Sequence, residues 1–140
     1  MIDLNIVRFC AEECQRQKSG ELSVYNMAYA YVWALGQYRL GYLPTEGTIR
    51  ELGRMVEPIK NKNGYRQFAV TIDSQAIPPI NFIRNMSNLC QDAFDNASEF
   101  YREFETVHPF IDGNGRVGAI LFNWINGTLP NPIVPPNFFG

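Results

Sequence analysis

The sequence predicts an all-α, mainly helical domain: a bundle of about six helices with one short β-hairpin. Apolar residues recur three and four positions apart through most of the chain, which is the spacing of one helix face. A single segment alternates with a period of two, which is typical of a strand. The 140 residues are enough for one domain, and no repeat or linker divides them. We therefore expect a single domain over residues 1–140.

The first half of the chain contains three predicted helices. Residues 2–17 carry apolar side chains on one face. Ser23 is a candidate N-cap for a long second helix, which Gly41 ends. Thr45 can cap a third helix that stops before Pro58. These helices form the first part of the predicted bundle.

The strand signal follows an Asn-Lys-Asn-Gly turn at residues 61–64. The alternating residues are Phe68, Ala69, Val70, Thr71 and Ile72. Asp73-Ser74 offers a second turn before residues 75–77. We expect one hairpin here, which must pack on helices because an isolated hairpin is marginally stable.

Three more helices are predicted in the second half. Pro78-Pro79 opens a fourth helix that continues to Phe94, and residues 97–107 form a fifth. The sixth is an amphipathic helix ended by Gly127. The proline-rich tail at 128–140 is expected to lie extended across the surface.

Charge and cysteine content exclude several classes of protein. The formal net charge is −2, so no basic surface marks the chain as a nucleic-acid binder. Cys10 and Cys14 are four apart on a predicted helix without a histidine nearby, which favours buried free thiols over a zinc site. The N-terminus does not resemble a secretory signal, and no apolar run approaches the roughly 20 residues that cross a membrane. We expect a soluble cytoplasmic protein without membrane contact.

The residues that carry chemistry run from His108 to Arg116 and read His-Pro-Phe-Ile-Asp-Gly-Asn-Gly-Arg. They lead directly into the sixth helix, so Gly113, Asn114 and Gly115 lie at a helix N-terminus. Unpaired backbone N–H groups and the positive end of the helix dipole favour an anion there. Glycines also permit the positive φ angles that fold N–H groups into an anion-holding nest. The segment predicts a phosphate-binding turn.

The neighbouring side chains have chemistry that suits such a turn. Arg116 can direct two donors to phosphate oxygens. Asp112 is placed to hold Mg²⁺ together with substrate phosphates. His108 is the only histidine, and its ordinary pKa of roughly 6.5 suits it to accept a proton from a hydroxyl. Phe110 is the expected apolar anchor of the loop.

These nine residues resemble the signature of the Fic (filamentation induced by cAMP) proteins, His-Pro-Phe-x-Asp/Glu-Gly-Asn-Gly-Arg-x-x-Arg. The resemblance covers roughly residues 20–127, including Gly64-Tyr65-Arg66 upstream. It implies a Fic-like helical bundle and an adenylylation reaction. In that reaction AMP passes from ATP to a Ser, Thr or Tyr hydroxyl of a target protein, and pyrophosphate is released.

Carried over by position, His108 resembles the base that deprotonates the target hydroxyl, and Asp112 resembles the Mg²⁺ ligand. The residues that resemble the binders of the nucleotide phosphates are Gly113, Asn114, Gly115 and Arg116. The hairpin resembles the family's flap, which pairs with an extended target segment. Its target-docking residues would be Phe68, Ala69, Val70 and Thr71. The alternation could equally place the larger of these side chains on a buried face.

One departure from the signature leaves the transferred group open. The second arginine would fall at position 119, where this chain has Ala119. The related Doc toxins also lack that arginine and transfer a phosphate, which makes a Doc-like phosphotransferase the alternative. Doc proteins carry a lysine where this chain has Gly115, so their loop matches less well. A nucleotide-binding interaction module with little catalysis is the third hypothesis. No inhibitory motif is visible, so a separate inhibitor or antitoxin is a possible partner.

Overall fold

The structure, a computed structural model, describes residues 3–72, 74–92 and 96–138. Its elements are α1 Leu4–Arg16, α2 Glu21–Arg39, α3 Glu46–Val56, β1 Val70–Ile72, β2 Gln75–Ile77, α4 Phe82–Asp92, α5 Ala97–Val107 and α6 Asn114–Asn126. The mainly helical fold with one hairpin is therefore confirmed. Asp73, Ala93, Phe94 and the end of the tail lie outside the described residues, so the parts of the sequence predictions that fall on them stay predictions.

Helix α6 is the centre of the bundle and packs against α1, α2, α3 and α5. The prediction that it is amphipathic is wrong. Beyond its apolar stripe, Ala119, Phe122 and Asn123 are also buried. A helix enclosed on nearly all sides shows no polar face. The signature loop therefore leads into the most buried element of the fold.

The predicted helix ends are confirmed in part. Thr45 caps α3, since its Oγ1 accepts a hydrogen bond of 3.2 Å from the Thr48 N–H. Gly127 ends α6 with a positive φ of 77°, as a glycine at this position permits. The prediction for Ser23 is wrong, because α2 starts at Glu21 and its N-cap is Gly20.

The predicted start of α4 at Pro78-Pro79 is also wrong, since the helix starts at Phe82. Asn81 Oδ1 accepts a hydrogen bond of 3.2 Å from the Arg84 N–H and so caps the first turn. A residue that precedes a proline is biased away from helical conformation. Residues 78–80 therefore continue the chain out of β2 before the helix begins.

The hairpin pairs β1 with β2 in antiparallel register, with Val70 opposite Ile77 and Ile72 opposite Gln75. Val70, Ile72 and Ile77 are half-buried. The hairpin therefore turns a partly apolar face toward the protein, as expected for a two-stranded unit that needs support.

The tail is fastened to the bundle by buried polar side chains. The Tyr31 hydroxyl donates a hydrogen bond of 2.7 Å to the Leu129 carbonyl. The Asn123 side chain donates to the Ile133 carbonyl at 3.1 Å and accepts from the Ile133 N–H at 2.9 Å. Residues 128–138 contain no helix or strand, yet Leu129 is fully buried. Cys10 and Cys14 are buried free thiols, as predicted.

Within the described ranges, none of the helices combines the length and hydropathy required to cross a bilayer.

Candidate active site

His108 follows the last turn of α5 in a left-handed conformation, with φ 51° and ψ 62°. Its N–H bonds to the Phe104 carbonyl at 3.0 Å, which closes the helix end. Burial lowers the pKa of the half-buried imidazole below its ordinary value, and the positive charge of Arg66 lowers it further. The negative charge of Asp112 opposes this shift without cancelling it. The imidazole is therefore neutral near pH 7, as a proton acceptor must be.

Arg66 connects the hairpin to this histidine. Its side chain is 2% exposed, and its guanidinium donates to backbone carbonyls on both sides. The acceptors are His108 at 2.7 Å, Phe68 at 2.8 Å, Ile77 at 3.0 Å, Val107 at 3.2 Å and Pro78 at 3.4 Å. The Arg66 N–H also bonds to the Pro109 carbonyl at 2.9 Å. This role was not predicted, although Arg66 belongs to the Gly64-Tyr65-Arg66 segment of the family resemblance, because the sequence does not show which carbonyl groups the guanidinium reaches.

The loop after His108 is closed by Asn114. Its Oδ1 accepts a hydrogen bond from the Phe110 N–H and its Nδ2 donates to the Phe110 carbonyl, each at 2.9 Å. The Phe110 ring is fully buried and lies against Gly53 so closely that a Cβ atom there would overlap it. The predicted anchor role of Phe110 is confirmed. The Asn114 side chain holds the loop in shape, so the groups that remain for a ligand are on the backbone.

The backbone at the start of α6 has the form expected of an anion-holding nest. Gly113 is the N-cap with φ 82°, and its N–H bonds to Asp112 Oδ1 at 2.7 Å. Among the described residues, the N–H groups of Asn114, Gly115 and Arg116 have no hydrogen-bond partner. Unpaired N–H groups at a helix N-terminus attract an anion.

Arg116 is 2% exposed and is held from the side of α3. Its guanidinium donates to Glu57 Oε1 at 2.8 Å and to the Val56 carbonyl at 3.3 Å. Its Nε is buried and has no partner within the described part of the chain. A buried donor without an acceptor is costly, and an oxygen of a bound anion would satisfy it. Glu57 thus holds the Arg116 guanidinium in place, and the Nε donor remains without an acceptor.

Asp112 is half-exposed and makes an ion pair with Lys60, with 2.8 Å between Oδ2 and Nζ. Burial alone would raise the pKa of the Asp112 carboxyl. The hydrogen bonds from Lys60 and from the Gly113 N–H, with the charges of Lys60 and Arg116, outweigh that effect and hold the pKa below its ordinary value. Asn61 fixes the Lys60 loop, since its buried Nδ2 donates to the Asp112 carbonyl at 2.8 Å. Asp112 is therefore ionised at neutral pH.

An ionised Asp112 fits Mg²⁺, which in phosphate sites is held by one or two carboxylates together with phosphate oxygens. No group of three or more His, Cys, Asp or Glu side chains with ligating geometry occurs among the described residues. A protein-only cation cage is thus not formed by that part of the chain. Phosphates would have to complete the coordination.

These groups share one small cavity of about 130 Å³. Its lining residues are Gln17, Ser19, His108, Ile111, Asp112, Gly113, Asn114, Gly115 and Arg116. The structure thus brings together every predicted site residue of the signature. Gln17 and Ser19 come from the segment directly after α1 and were not predicted, because nothing in the sequence connects them to the signature loop. Gln17 lies against Gly115 so closely that a Cβ atom there would overlap its side chain.

The four predicted docking residues lie on the hairpin side of Arg66, outside this cavity. Phe68, Ala69 and Thr71 are exposed, while Val70 is half-buried. Within the described residues the sheet has only two strands, so each leaves one backbone edge unpaired. Arg66 holds the base of this hairpin next to His108. The arrangement is compatible with strand addition beside the histidine.

Comparison with known proteins agrees with this geometry. The chain is 45% identical over 53 residues to a probable protein adenylyltransferase of Aquifex aeolicus (strain VF5), and the match covers 36% of this chain and 16% of that protein. The chain thus spans a small part of the length of this relative. No solved structure matches significantly. The model of the Fic/DOC family matches residues 42–126, from just before α3 to the end of α6. The chain therefore belongs to the Fic/DOC family.

Proposed function

We propose that the protein transfers AMP from ATP to a Ser, Thr or Tyr hydroxyl of a target protein. One observation carries the proposal. The N–H groups without partners at the start of α6 belong to Asn114, Gly115 and Arg116, which line the same cavity as His108. Arg116 also carries a buried Nε without an acceptor. Donors without acceptors suit the charged phosphates of a nucleotide, and a neutral imidazole beside them suits a hydroxyl nucleophile.

The residues act together in one displacement. The backbone donors of Asn114 and Gly115, with Arg116, bind phosphate oxygens and stabilise the charge that develops there. His108 takes the proton as the hydroxyl oxygen bonds to the α-phosphorus. The bond between that phosphorus and the oxygen bridging to the β-phosphate breaks, and pyrophosphate leaves. Mg²⁺ held by Asp112 would neutralise phosphate charge.

The target segment is proposed to add to the free edge of the hairpin. Phe68, Ala69 and Thr71 are exposed there, and strand addition uses backbone hydrogen bonds for affinity and alternate side-chain pockets for specificity. Arg66 keeps the hairpin base in contact with the carbonyl of His108. A residue on an added strand would therefore be presented near the imidazole.

The experiment uses purified protein, Mg²⁺ and a cell extract, with ATP labelled in parallel at the α- or the γ-phosphate. AMP transfer predicts target protein labelled only from the α position. His108→Ala should lower that labelling on the order of a hundredfold or more, the usual contribution of a general base. Full labelling by His108→Ala would refute this mechanism.

A phosphotransferase is the second candidate, and Ala119 favours it because the signature's second cation is missing there. One observation counts against it: Gly115 stands where the Doc loop has a lysine, and the end of the Gln17 side chain occupies the space that a Cβ atom at that position would take. Label from the γ position only would establish this candidate, and binding of ATP without label from either position would favour an interaction module.

A further inference from the structure

Helix α2 is apolar on both its buried and its exposed side. The exposed side chains are Leu22 (72%), Tyr25 (74%), Tyr29 (68%) and Val32 (39%). With Gly36, they are all the exposed positions of the helix between its two end residues. Their spacing of three, four, three and four residues is the spacing of a helix seam that packs on a second helix. A contiguous apolar surface of this kind indicates an interaction site.

The charges at the two ends of α2 indicate which helix it meets. Glu21 is the first residue of this 19-residue helix and Arg39 the last. They are about five full turns apart at 3.6 residues per turn, so both lie on the same edge of the stripe. Both are exposed, and neither makes an ion pair within the described residues. In an antiparallel pair of identical helices, each edge faces the same edge of the partner, which brings Glu21 to the partner's Arg39.

The side-chain sizes fit the same arrangement. With the two-fold axis near the middle of the stripe, Tyr29 lies opposite the partner's Val32, and Tyr25 lies opposite the partner's Gly36. Gly36 weakens the interior of its own helix relative to alanine. Apart from its chain neighbours and the backbone of its own helix, no heavy atom of the described residues comes within 4 Å of a Cβ placed there, so packing within the chain does not require glycine. The partner's Tyr25 ring would occupy that open space.

We propose that α2 is a self-association surface, on which a second copy of this chain packs its own α2 in antiparallel, two-fold symmetric contact. Such an interface is isologous, since the same patch serves both copies. The pairing places opposite charges together at both ends and aligns the helix dipoles head to tail. This inference does not depend on the proposed enzymatic activity.

The first test measures molar mass by sedimentation equilibrium over a wide range of protein concentrations. A monomer–dimer equilibrium is expected. Tyr25→Asp should abolish it, whereas Ile59→Asp, at an apolar side chain that is 82% exposed outside α2, should leave it unchanged. A chain that stays monomeric throughout, or equal loss in both variants, would overturn the proposal.

The second test uses the charges. Glu21→Arg or Arg39→Glu alone should weaken association by about tenfold, because two-fold symmetry places two such pairs in the interface. The double exchange Glu21→Arg with Arg39→Glu should restore most of the loss. A double exchange that associates as weakly as the single variants would overturn the antiparallel arrangement.

The third test adds a side chain at Gly36. Gly36→Leu has open space in the monomer, so the variant should stay folded and melt at the same or a higher temperature. In the dimer the added side chain collides with the partner's Tyr25, so association should be lost. A Gly36→Leu protein that still dimerises with unchanged affinity would contradict the proposal.

Discussion

Arg66 Nε donates a hydrogen bond of 2.7 Å to the carbonyl oxygen of His108, so the hairpin and the candidate base are held by one guanidinium. Arg66→Lys should destabilise the protein by about 2–4 kcal/mol, since a single ammonium cannot satisfy five carbonyls arranged around a planar fork. Urea denaturation measures this loss. Arg102→Lys is the control, because Arg102 is exposed. Equal denaturation midpoints for the two variants would argue against the role given to Arg66.

The pKa of His108 lies below its ordinary value of 6.5 because of burial and the charge of Arg66. The base role proposed for His108 requires the neutral imidazole, so we expect activity to be lost as pH falls through this lowered pKa and to be fully present above it. The pH dependence of kcat/KM should therefore have its acidic midpoint below pH 6.5. A midpoint clearly above that value would mean that His108 is not the titrating base.

Gly53 and Gly47 form a matched pair within α3. A Cβ atom at Gly53 would overlap the Phe110 ring, whereas at Gly47 its nearest neighbour is Thr45 Oγ1 at 3.8 Å. Gly53→Ala should destabilise by about 1–3 kcal/mol through overpacking. Gly47→Ala should be neutral or stabilise by up to about 1 kcal/mol through helix propensity. Thermal unfolding compares the two, and a Gly53→Ala protein as stable as Gly47→Ala would show that the ring moves aside freely.

Lys60 pairs with the carboxylate of Asp112, which is the group that we propose holds Mg²⁺. Lys60→Ala removes the ammonium that lies 2.8 Å from Oδ2, so the Mg²⁺ concentration for half-maximal ATP binding should fall by roughly two- to fivefold, the scale of an exposed ion pair. Lys62→Ala, an exposed lysine in the same loop, should not change it. Calorimetric titration of ATP at several Mg²⁺ concentrations measures the effect. A higher Mg²⁺ requirement in Lys60→Ala would instead indicate that Lys60 binds the phosphates.

The sequence was sufficient for the fold class because its signals were local. Thr45 lies directly before the apolar pattern of α3, and Gly127 lies directly after that of α6. Capping chemistry was therefore enough to predict the start of α3 and the end of α6. The helix starts predicted at Ser23 and at Pro78-Pro79 were wrong, because the actual start of each helix carries a weaker sequence signal. At α2 the helix began earlier with Gly20 as its cap, and at α4 the prolines continued the extended chain.

The site was predictable only as far as the signature reached. His108, Asp112 and Arg116 line one cavity because they lie within nine consecutive residues, on the loop and the first turn of α6. Arg66 and Lys60 reach that loop through tertiary contacts from more than forty positions away, which no spacing rule describes. Likewise, the sequence did not predict that α6 is buried on nearly every side, since a fully enclosed helix and an amphipathic helix share the same apolar stripe.

Gln17 and Ser19 give the cavity a wall made from a part of the chain that the family match at 42–126 does not include. A fragment trimmed to the matched region would keep the whole signature and yet lose one side of this cavity. It would also lack α2 and so uncover the face of α6 on which α2 packs. In a chimaera between two relatives, the segment after α1 and the signature loop should therefore be taken from the same parent protein, because the side chain of Gln17 lies against Gly115.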